Sequence, residues 1–163
     1  MITQDIIKGL LVYEPDSGLF RSRRKTCRSI PGSVIGAVRP DGYLQIYVLG
    51  RNYLAHRLAW LYVHGTWPEV HIDHIDGDGT NNRIENLRLA TPAENGRNRT
   101  RPQARNSSGE RGVYWSRIRK KWIAQIGVDR RTINLGGYDT KAEAKTARKA
   151  AEINHYGQFR GTA

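Results

Sequence analysis

The sequence predicts an α+β protein made of two small domains. Three observations lead to this prediction: strand-like alternation between turn residues, helix-like segments with capping signals, and a charge balance that changes abruptly near residue 96. With 163 residues, 38% of them hydrophobic, the chain has room for one ordinary domain or two small ones. A large multidomain enzyme is therefore excluded.

The charge of the chain points to a polyanionic partner. The 27 Lys and Arg residues outnumber the 15 Asp and Glu residues and give a net charge of +12, which favours nucleic acid over a membrane surface. Residues 1–95 hold 11 basic and 10 acidic side chains, whereas residues 96–163 hold 16 and 5. The excess is almost entirely C-terminal, so we expect two halves with different tasks.

A basic linker is predicted between the halves. The segment 99–110 combines Pro, Gly, Ser and Asn with spaced arginines and has no apolar periodicity. We expect domains at 1–98 and 111–163. The alternatives for the linker are a solvated connector without a role and an arm along a phosphate backbone. In the second case the phosphate contacts are Arg97, Arg99, Arg101 and Arg105.

Cysteine content and hydropathy exclude other classes. Cys27 is the single cysteine, so neither a disulfide scaffold nor a Cys-based zinc site is available. The N-terminus lacks a signal-peptide pattern, and no stretch approaches the roughly 18 apolar residues of a membrane span. We expect a soluble, intracellular protein.

The first half begins with short hairpins. Strand-like segments lie at 11–13, 42–49 and 53–55, with turn residues between them. A short helix is predicted at 56–64, where Gly65 provides the cap.

The segment from His71 to Asn95 is dense in carboxylate, amide and imidazole groups, which suggests a site for a hard cation. Mg²⁺ needs only one or two protein oxygens, and Asp73 with Asn95 would suffice. A calcium loop beginning at Asp76 fails, because its sixth position is Asn81 rather than Gly and its twelfth is Leu87 rather than Glu. Taken singly, residues 76–82 are better explained as a hairpin scaffold.

This region resembles the HNH endonucleases with a ββα-metal fold, in the branch common among phage and intron-encoded homing endonucleases. The matching motifs, in a fixed order over some 45 residues, are Ala55–Trp60, Gly65–Pro68, Ile72–Gly77, Asn81–Arg83, Glu85–Arg88 and Asn95–Asn98. The resemblance implies a ββα core at about residues 70–98. It also implies that the protein acts in a host cytoplasm if it is phage-encoded.

The resemblance assigns roles to four residues. Asp73 binds a divalent metal, His74 is the general base, and Asn86 holds the loop and the base in place. Asn95 is the second metal ligand, at a position where many relatives have His. An amide oxygen there favours Mg²⁺ or Mn²⁺ over softer ions.

Phosphodiester hydrolysis needs a water, a base and a cation, which these groups supply. Adjacent strand residues point to opposite faces. Asp73 and His74 therefore share a site only if the strand end is distorted or the metal and water straddle it, and we predict irregular backbone there. We expect His56 to support the site from behind, and His64 and His71 to be structural or solvated.

The second half predicts three strands and a helix. Strands are expected at 112–115, 121–126 and 132–138, and a helix at 141–156 with a capping box of Thr140 and Glu143 and a cap at Gly157. Trp122, Ala124 and Ile126 are predicted to face the helix. The opposite, exposed face would hold Ile123, Gln125, Tyr114, Arg117, Arg119, Thr132 and Asn134, a mixture that suits a major groove.

This half resembles the ethylene-response-factor (Apetala-type) DNA-binding domain. The matching elements are Gly112–Val113, Trp122–Ile126, Ile133–Gly136, the Ala-rich helix and Gly157–Phe159. The resemblance implies a three-stranded sheet lying in the major groove. The turn 116–121 is one residue longer than in the plant pattern. The predicted DNA contacts are Tyr114, Arg117, Arg119, Lys120, Lys121, Gln125, Arg130, Arg131 and Asn134.

The sequence as a whole therefore indicates a metal-dependent, site-selective DNA endonuclease with double-stranded DNA as its partner. No membrane and no obligate protein partner is expected, and the oligomeric state is open. The alternatives are a sequence-specific DNA-binding regulator with an inactive nuclease fold, and RNA as the substrate.

Overall fold

The computed structural model describes residues 2–27, 29–98 and 108–159. The chain divides into two units, Met1–Asn95 and Gly96–Ala163. This division falls where the charge balance changes, so the first unit is nearly neutral and the second carries most of the net positive charge.

Short elements make up the first unit. In chain order they are α1 (Gln4–Leu10), β1 (Leu11–Glu14), β2 (Leu19–Ser22), β3 (Val34–Ile35), β4 (Ala37–Val38), β5 (Leu44–Val48), β6 (Arg51–Leu54), α2 (Ala55–His64), β7 (His71–His74), a 3₁₀ turn (Ile84–Asn86) and β8 (Leu87–Ala90). The helix α3 (Pro92–Arg97) follows and spans the division. The predicted hairpins and short helix are confirmed, and α1 is an addition that the sequence reading missed.

Three antiparallel sheets of the first unit surround one apolar core. Their strand orders are β1-β2-β3, β4-β5-β6 and β7-β8. The core includes Ile7 of α1, Phe20 of β2, Ile46 of β5 and Leu58 of α2, all fully or almost fully buried. Helix α2 ends at Gly65, whose φ of 79° gives the left-handed cap predicted from the sequence.

The strands β7 and β8 pair in regular antiparallel register. Asp73 lies opposite Arg88, and His74 lies opposite Leu87. The prediction of irregular backbone at Asp73 and His74 is therefore wrong: the ladder continues to His74 and the chain turns only after it. Because the hydrogen-bonded pairing is complete, the two side chains leave the strand on opposite faces.

The second unit contains β9 (Val113–Ser116), β10 (Lys121–Val128), β11 (Arg131–Tyr138), α4 (Lys141–Tyr156) and a terminal 3₁₀ turn (Gly157–Phe159). The strands form one antiparallel sheet with β10 in the centre. Val113, Ala124 and Ala144 form one buried cluster between sheet and helix. This arrangement, together with the β-β-α order of β7, β8 and α3, confirms the predicted α+β fold.

Helix α4 begins as predicted. The Thr140 hydroxyl accepts from the Glu143 N–H, and the Glu143 carboxylate accepts from the Thr140 N–H, which completes the capping box. None of the helices in the described part of the chain is both long and apolar enough to cross a membrane.

A β-bulge interrupts β11. The register passes from Ala124 opposite Gly136 to Gln125 opposite Asn134, so Leu135 is an extra residue in β11. Leu135 packs into the apolar clusters beneath α4. The bulge thereby fills the core without shifting Asn134 away from the face that Gln125 occupies.

One face prediction in this sheet is wrong. Ile123 was expected on an exposed surface, but it is 3% exposed. Its cross-strand neighbours are Tyr114 and Gly137. A Cβ at Gly137 would lie 3.3 Å from Cδ1 of Ile123, closer than an ordinary van der Waals contact, so a glycine there leaves room for the isoleucine.

Candidate active site

His74 lies at the end of β7, and its imidazole is enclosed by polar and aromatic groups. The side chain is 5% exposed. Its ring centroid lies 5.0 Å from that of His56 in an edge-to-face arrangement and 5.8 Å from that of Tyr43. Nε2 of His74 lies 3.3 Å from Oδ1 of Asn82. The predicted base is thus enclosed by Tyr43, which precedes β5, by His56 of α2 and by Asn82 of the loop that follows β7.

Burial favours the neutral form of both histidines. Desolvation, with smaller contributions from the charges of His74 and Arg57, lowers the pKa of His56 to about 3. Desolvation also lowers the pKa of His74 below the usual 6.5, although the Asn82 hydrogen bond and the nearby aspartates act in the opposite direction. Both imidazoles are therefore neutral at neutral pH, and a neutral imidazole can accept a proton.

His56 occupies the supporting position expected from the sequence. It belongs to α2, is buried, and also contacts the Tyr43 ring at a centroid distance of 5.5 Å. Within the part of the chain that the structure describes, its Nδ1 has no hydrogen-bond partner. His64 and His71 are exposed, and the His64 ring rests on Trp60 at 4.1 Å.

Asn86 ties down the loop between β7 and β8. Its Oδ1 accepts from the Asp76 N–H at 3.1 Å, and its Nδ2 donates to Asp76 Oδ1 at 3.0 Å and to the Asn81 carbonyl at 2.8 Å. Burial raises the pKa of Asp76, but hydrogen bonds from Asp78, Asn86 and Asn81 outweigh it, so the pKa lies below its usual value. The loop is thus built around one ionised carboxylate and one amide.

Asp73 lies on the other face of β7 and pairs with Arg88. The carboxylate is 3% exposed, and its Oδ2 accepts from Arg88 Nε at 2.8 Å and lies 2.7 Å from Arg88 Nη2. Asp73 and His74 therefore have separate surroundings. The distorted strand end that was considered from the sequence is therefore excluded, and a site shared by the two residues would have to straddle the strand end.

Asn95 lies on α3, where it is half-buried and its N–H donates to the Thr91 carbonyl at 2.9 Å. Asp73 and Asn95 together offer hard oxygen donors, which suit Mg²⁺ or Mn²⁺. The described residues contain no group of three or more His, Cys, Asp and Glu side chains placed to hold a metal ion. The donor types of these two residues fit Mg²⁺, which would take its other ligands from water and phosphate.

In the second unit, some of the predicted DNA-contacting residues share one face of the sheet. Gln125 lies directly opposite Asn134, so both side chains are on the same side of the sheet as Tyr114 and Ile123. Oδ1 of Asn134 accepts from the Gly136 N–H at 2.9 Å and stabilises the bulge. Arg131, by contrast, lies opposite Val128 at the end of the sheet. By the alternation along β10, this pair is on the face of the sheet that packs against α4.

The remaining predicted cations cluster at two turns. Arg117, Arg119 and Lys120 are exposed in the turn between β9 and β10, and Arg130 is exposed in the turn between β10 and β11. Lys121, at the start of β10, forms an ion pair of 3.1 Å with Asp139. Ile118 lies among the first group and is 96% exposed, a feature that the sequence reading did not single out.

The predicted linker contacts fall mostly outside the described residues. Arg99, Arg101 and Arg105 lie in the range 99–107, which the structure does not describe. Arg97 is described; it forms an ion pair of 3.1 Å with Asp129, and its guanidinium lies 5.5 Å from the centre of the Tyr156 ring.

Three residues of the site were missed in the sequence. Tyr43 belongs to no sequence motif, and its role follows only from its ring contacts with His56 and His74. Asn82 belongs to an Asn-Asn pair that was assigned to scaffold, although complete burial of an amide indicates a specific partner. Arg88 was noted only as part of a motif; its position opposite Asp73 follows from the strand register.

Comparison with known proteins places the sequence around this site in a family. Residues 53–97 match the family model described as HNH endonuclease. Protein 3.8 of Escherichia phage T7 is 36% identical over 98 residues, which are 60% of this chain and 78% of the phage protein.

Two further relatives share smaller parts. The uncharacterized HNH endonuclease L560 of Acanthamoeba polyphaga mimivirus is 38% identical over 74 residues, 45% of this chain and 37% of that protein. The solved structure of the HNH homing endonuclease I-HmuI, which concerns DNA binding and cleavage, contains a chain that is 26% identical to this one. The match has a TM-score of 0.41 and covers 54% of this chain and 50% of that chain. The chain belongs to the HNH endonuclease family and is a nuclease whose family motif spans residues 53–97.

Proposed function

We propose that this protein is a metal-dependent, site-selective DNA endonuclease of the homing type, in which the first unit hydrolyses a phosphodiester bond and the second binds double-stranded DNA. The observation that carries the proposal is the buried His74 at the end of β7. Its pKa lies below the usual value, so the imidazole is neutral at physiological pH and able to take a proton from water.

The other roles follow from position. Asn86 holds the loop that leads away from His74, through its bonds to Asp76 and Asn81. Asp73 and Asn95 would hold a divalent ion, in keeping with their oxygen donors. When bound, such an ion neutralises phosphoryl oxygens and the leaving oxygen.

The second unit supports DNA binding through its shape and charge. A three-stranded sheet backed by one helix is the architecture of the Apetala-type domain that this half resembles. The cations of the two turns lie beyond opposite ends of β10, whose eight residues span roughly 23 Å at about 3.3 Å per step. Such a spacing allows phosphates on both sides of a groove to be contacted, while Gln125 and Asn134 face the bases and Ile118 adds an apolar contact.

The test is conversion of supercoiled plasmid to open-circular and linear forms in Mg²⁺, Mn²⁺ or EDTA. We expect conversion that depends on the metal and falls roughly 10²- to 10⁴-fold in His74→Ala, with DNA affinity kept, because general-base catalysis has that size. His71→Ala, an exposed histidine on the same strand, is the control and should cleave like the unmodified protein.

Unchanged cleavage by His74→Ala would remove the proposed base. Inertness of both proteins on plasmid together with tight, sequence-specific DNA binding would favour a regulator. Cleavage of an RNA duplex in place of the plasmid would change the substrate class.

A further inference from the structure

The side chain of Asn82 is held in one orientation. The residue is completely buried. Its Nδ2 donates to the Thr80 carbonyl at 2.9 Å, and its Oδ1 lies 3.3 Å from Nε2 of His74. Exchanging the oxygen and nitrogen of this amide would set two acceptor oxygens against each other at Thr80. The atom that Asn82 presents to His74 is therefore an acceptor.

An acceptor opposite Nε2 requires that this nitrogen carries the proton. A neutral imidazole has one N–H and one lone pair, so a proton on Nε2 leaves the lone pair on Nδ1. We propose that Asn82 is a positioning residue that fixes His74 in the tautomer protonated on Nε2 and thereby makes Nδ1 the nitrogen that accepts the proton in the reaction. The second clause rests on the proposed function, whereas the tautomer is a property of the unliganded chain.

The N-terminal hairpin holds Asn82 in place. The Tyr13 hydroxyl donates to the Asn82 carbonyl at 2.7 Å. Gly18, in the turn between β1 and β2 with φ 73°, approaches so closely that a Cβ would lie 2.6 Å from the Asn82 carbonyl carbon and 2.5 Å from the Arg83 nitrogen. The hairpin thus fixes the backbone of Asn82, and Thr80 fixes its amide.

The decisive measurement is the tautomer of His74 in the full chain labelled with ¹⁵N-histidine, recorded by NMR near pH 7.5 without metal or DNA. We expect a pyrrole-type Nε2 that couples to its proton and a pyridine-type Nδ1. A pyrrole-type Nδ1 in the unmodified protein would overturn the proposal without any variant.

Two variants test the role of Asn82 itself. Asn82→Leu keeps the approximate shape but offers no acceptor, so we expect both tautomers to be populated and nicking to slow by roughly 10- to 10²-fold, a part of a general-base contribution. Asn82→Asp keeps an acceptor and a stronger one, so the tautomer should persist with the Nε2 proton signal moved downfield.

A control separates this role from a merely structural one. Tyr13→Phe removes the hydrogen bond to the Asn82 carbonyl, and should lower stability while leaving the tautomer unchanged. A folded Asn82→Leu with the tautomer intact would overturn the proposal. If Asn82→Leu does not fold, the Nε2 proton signal of Asn82→Asp decides instead. A signal at the same position as in the unmodified protein would overturn the proposal.

The two proposals fail in different ways. A chain with the expected tautomer that cleaves no DNA would contradict the nuclease assignment only. A chain that cleaves DNA with the other tautomer would contradict the role of Asn82 only.

Discussion

Asp73 and Arg88 face each other across β7 and β8, and two nitrogens of the Arg88 guanidinium lie at 2.8 and 2.7 Å from one oxygen of the Asp73 carboxylate. The register of a single strand pair thus places a buried charge beside its counter-charge. Because the pair is almost fully buried, removing either partner would leave the other uncompensated.

We predict that Arg88→Met lowers the free energy of unfolding of the first unit by about 3 kcal/mol, the size found when one partner of a buried pair is removed. Arg39→Met is the matched control, because Arg39 pairs with Asp41 at 2.9 Å with both side chains largely exposed. That change should cost less than about 1 kcal/mol. Urea unfolding followed by the amide NMR signals of β7 and β8 measures both, and equal losses would contradict the prediction.

A second prediction concerns pH and His56. Its pKa is about 3 in the folded chain and near 6.5 when unfolded. Below pH 6.5 the unfolded chain therefore binds a proton that the folded chain does not, and stability falls as the pH decreases towards 3; above 6.5 this group has no effect. The slope approaches about 1.4 kcal/mol per pH unit.

His56→Leu should remove the part of this slope that His56 contributes between about pH 6.5 and about pH 5 and leave the contribution of His74, whose pKa is also lowered; urea unfolding at several pH values measures both. His64→Leu, at an exposed position of the same helix, should keep the full slope. Parallel stability curves for the unmodified protein and His56→Leu would show that His56 is not the group responsible.

The role of Asn86 predicts a local effect. Asn86→Ala removes the acceptor for the Asp76 N–H and a donor to the Asp76 carboxylate, which in turn accepts from the Asp78 N–H. We expect faster amide hydrogen exchange at both aspartates and a loss of nicking of roughly 10²-fold, the effect of a misplacement of about 1 Å. Asn52→Ala, at an exposed position of β6, serves as the control. Retained protection in the loop would refute the proposed clamp.

The cations in the turn between β9 and β10 are expected to make DNA binding depend on salt concentration. Replacing Arg117, Arg119 and Lys120 by Ala should lower the magnitude of the log Kd against log [salt] slope by up to about 2.7, since each phosphate contact contributes about 0.9. Lys149→Ala, an exposed cation on α4, should leave the slope unchanged. Binding titrations between about 50 and about 300 mM salt measure this slope. An unaltered slope in the triple variant would show that the turn is not part of the DNA interface.

Local signals predicted much of this fold. The strands and helix of the second unit follow from alternation, from turn residues and from the capping box of Thr140 and Glu143, all of which act within a few residues. The short helix ending at Gly65 was predicted for the same reason. In the site, His74 and His56 were identified by their residue types and motif positions, and the structure brings their rings together.

Other features depend on contacts between distant segments. Tyr43 reaches His74 from a distant segment, and the backbone of Asn82 is contacted by the hairpin of β1 and β2, so no local pattern encodes either position. The irregular strand expected at Asp73 came from assuming that adjacent side chains must share one pocket. The buried Ile123 likewise reflects its neighbours in space, because alternation alone assigns it to the exposed face.

The extra residue Leu135 separates the packing of the second unit from the register of its surface. Upstream of it, Thr132 and Asn134 lie opposite Gly127 and Gln125. Because Leu135 has no cross-strand partner, deleting it would leave Asn134 opposite Gln125 and Gly136 opposite Ala124, and only the leucine that packs beneath α4 would be lost. Deleting the paired residue Ile133 would instead shift Thr132 by one position and turn it towards α4. New target preferences in such a module should therefore arise by point substitution at Thr132 or Asn134, with the number of paired residues in β11 preserved.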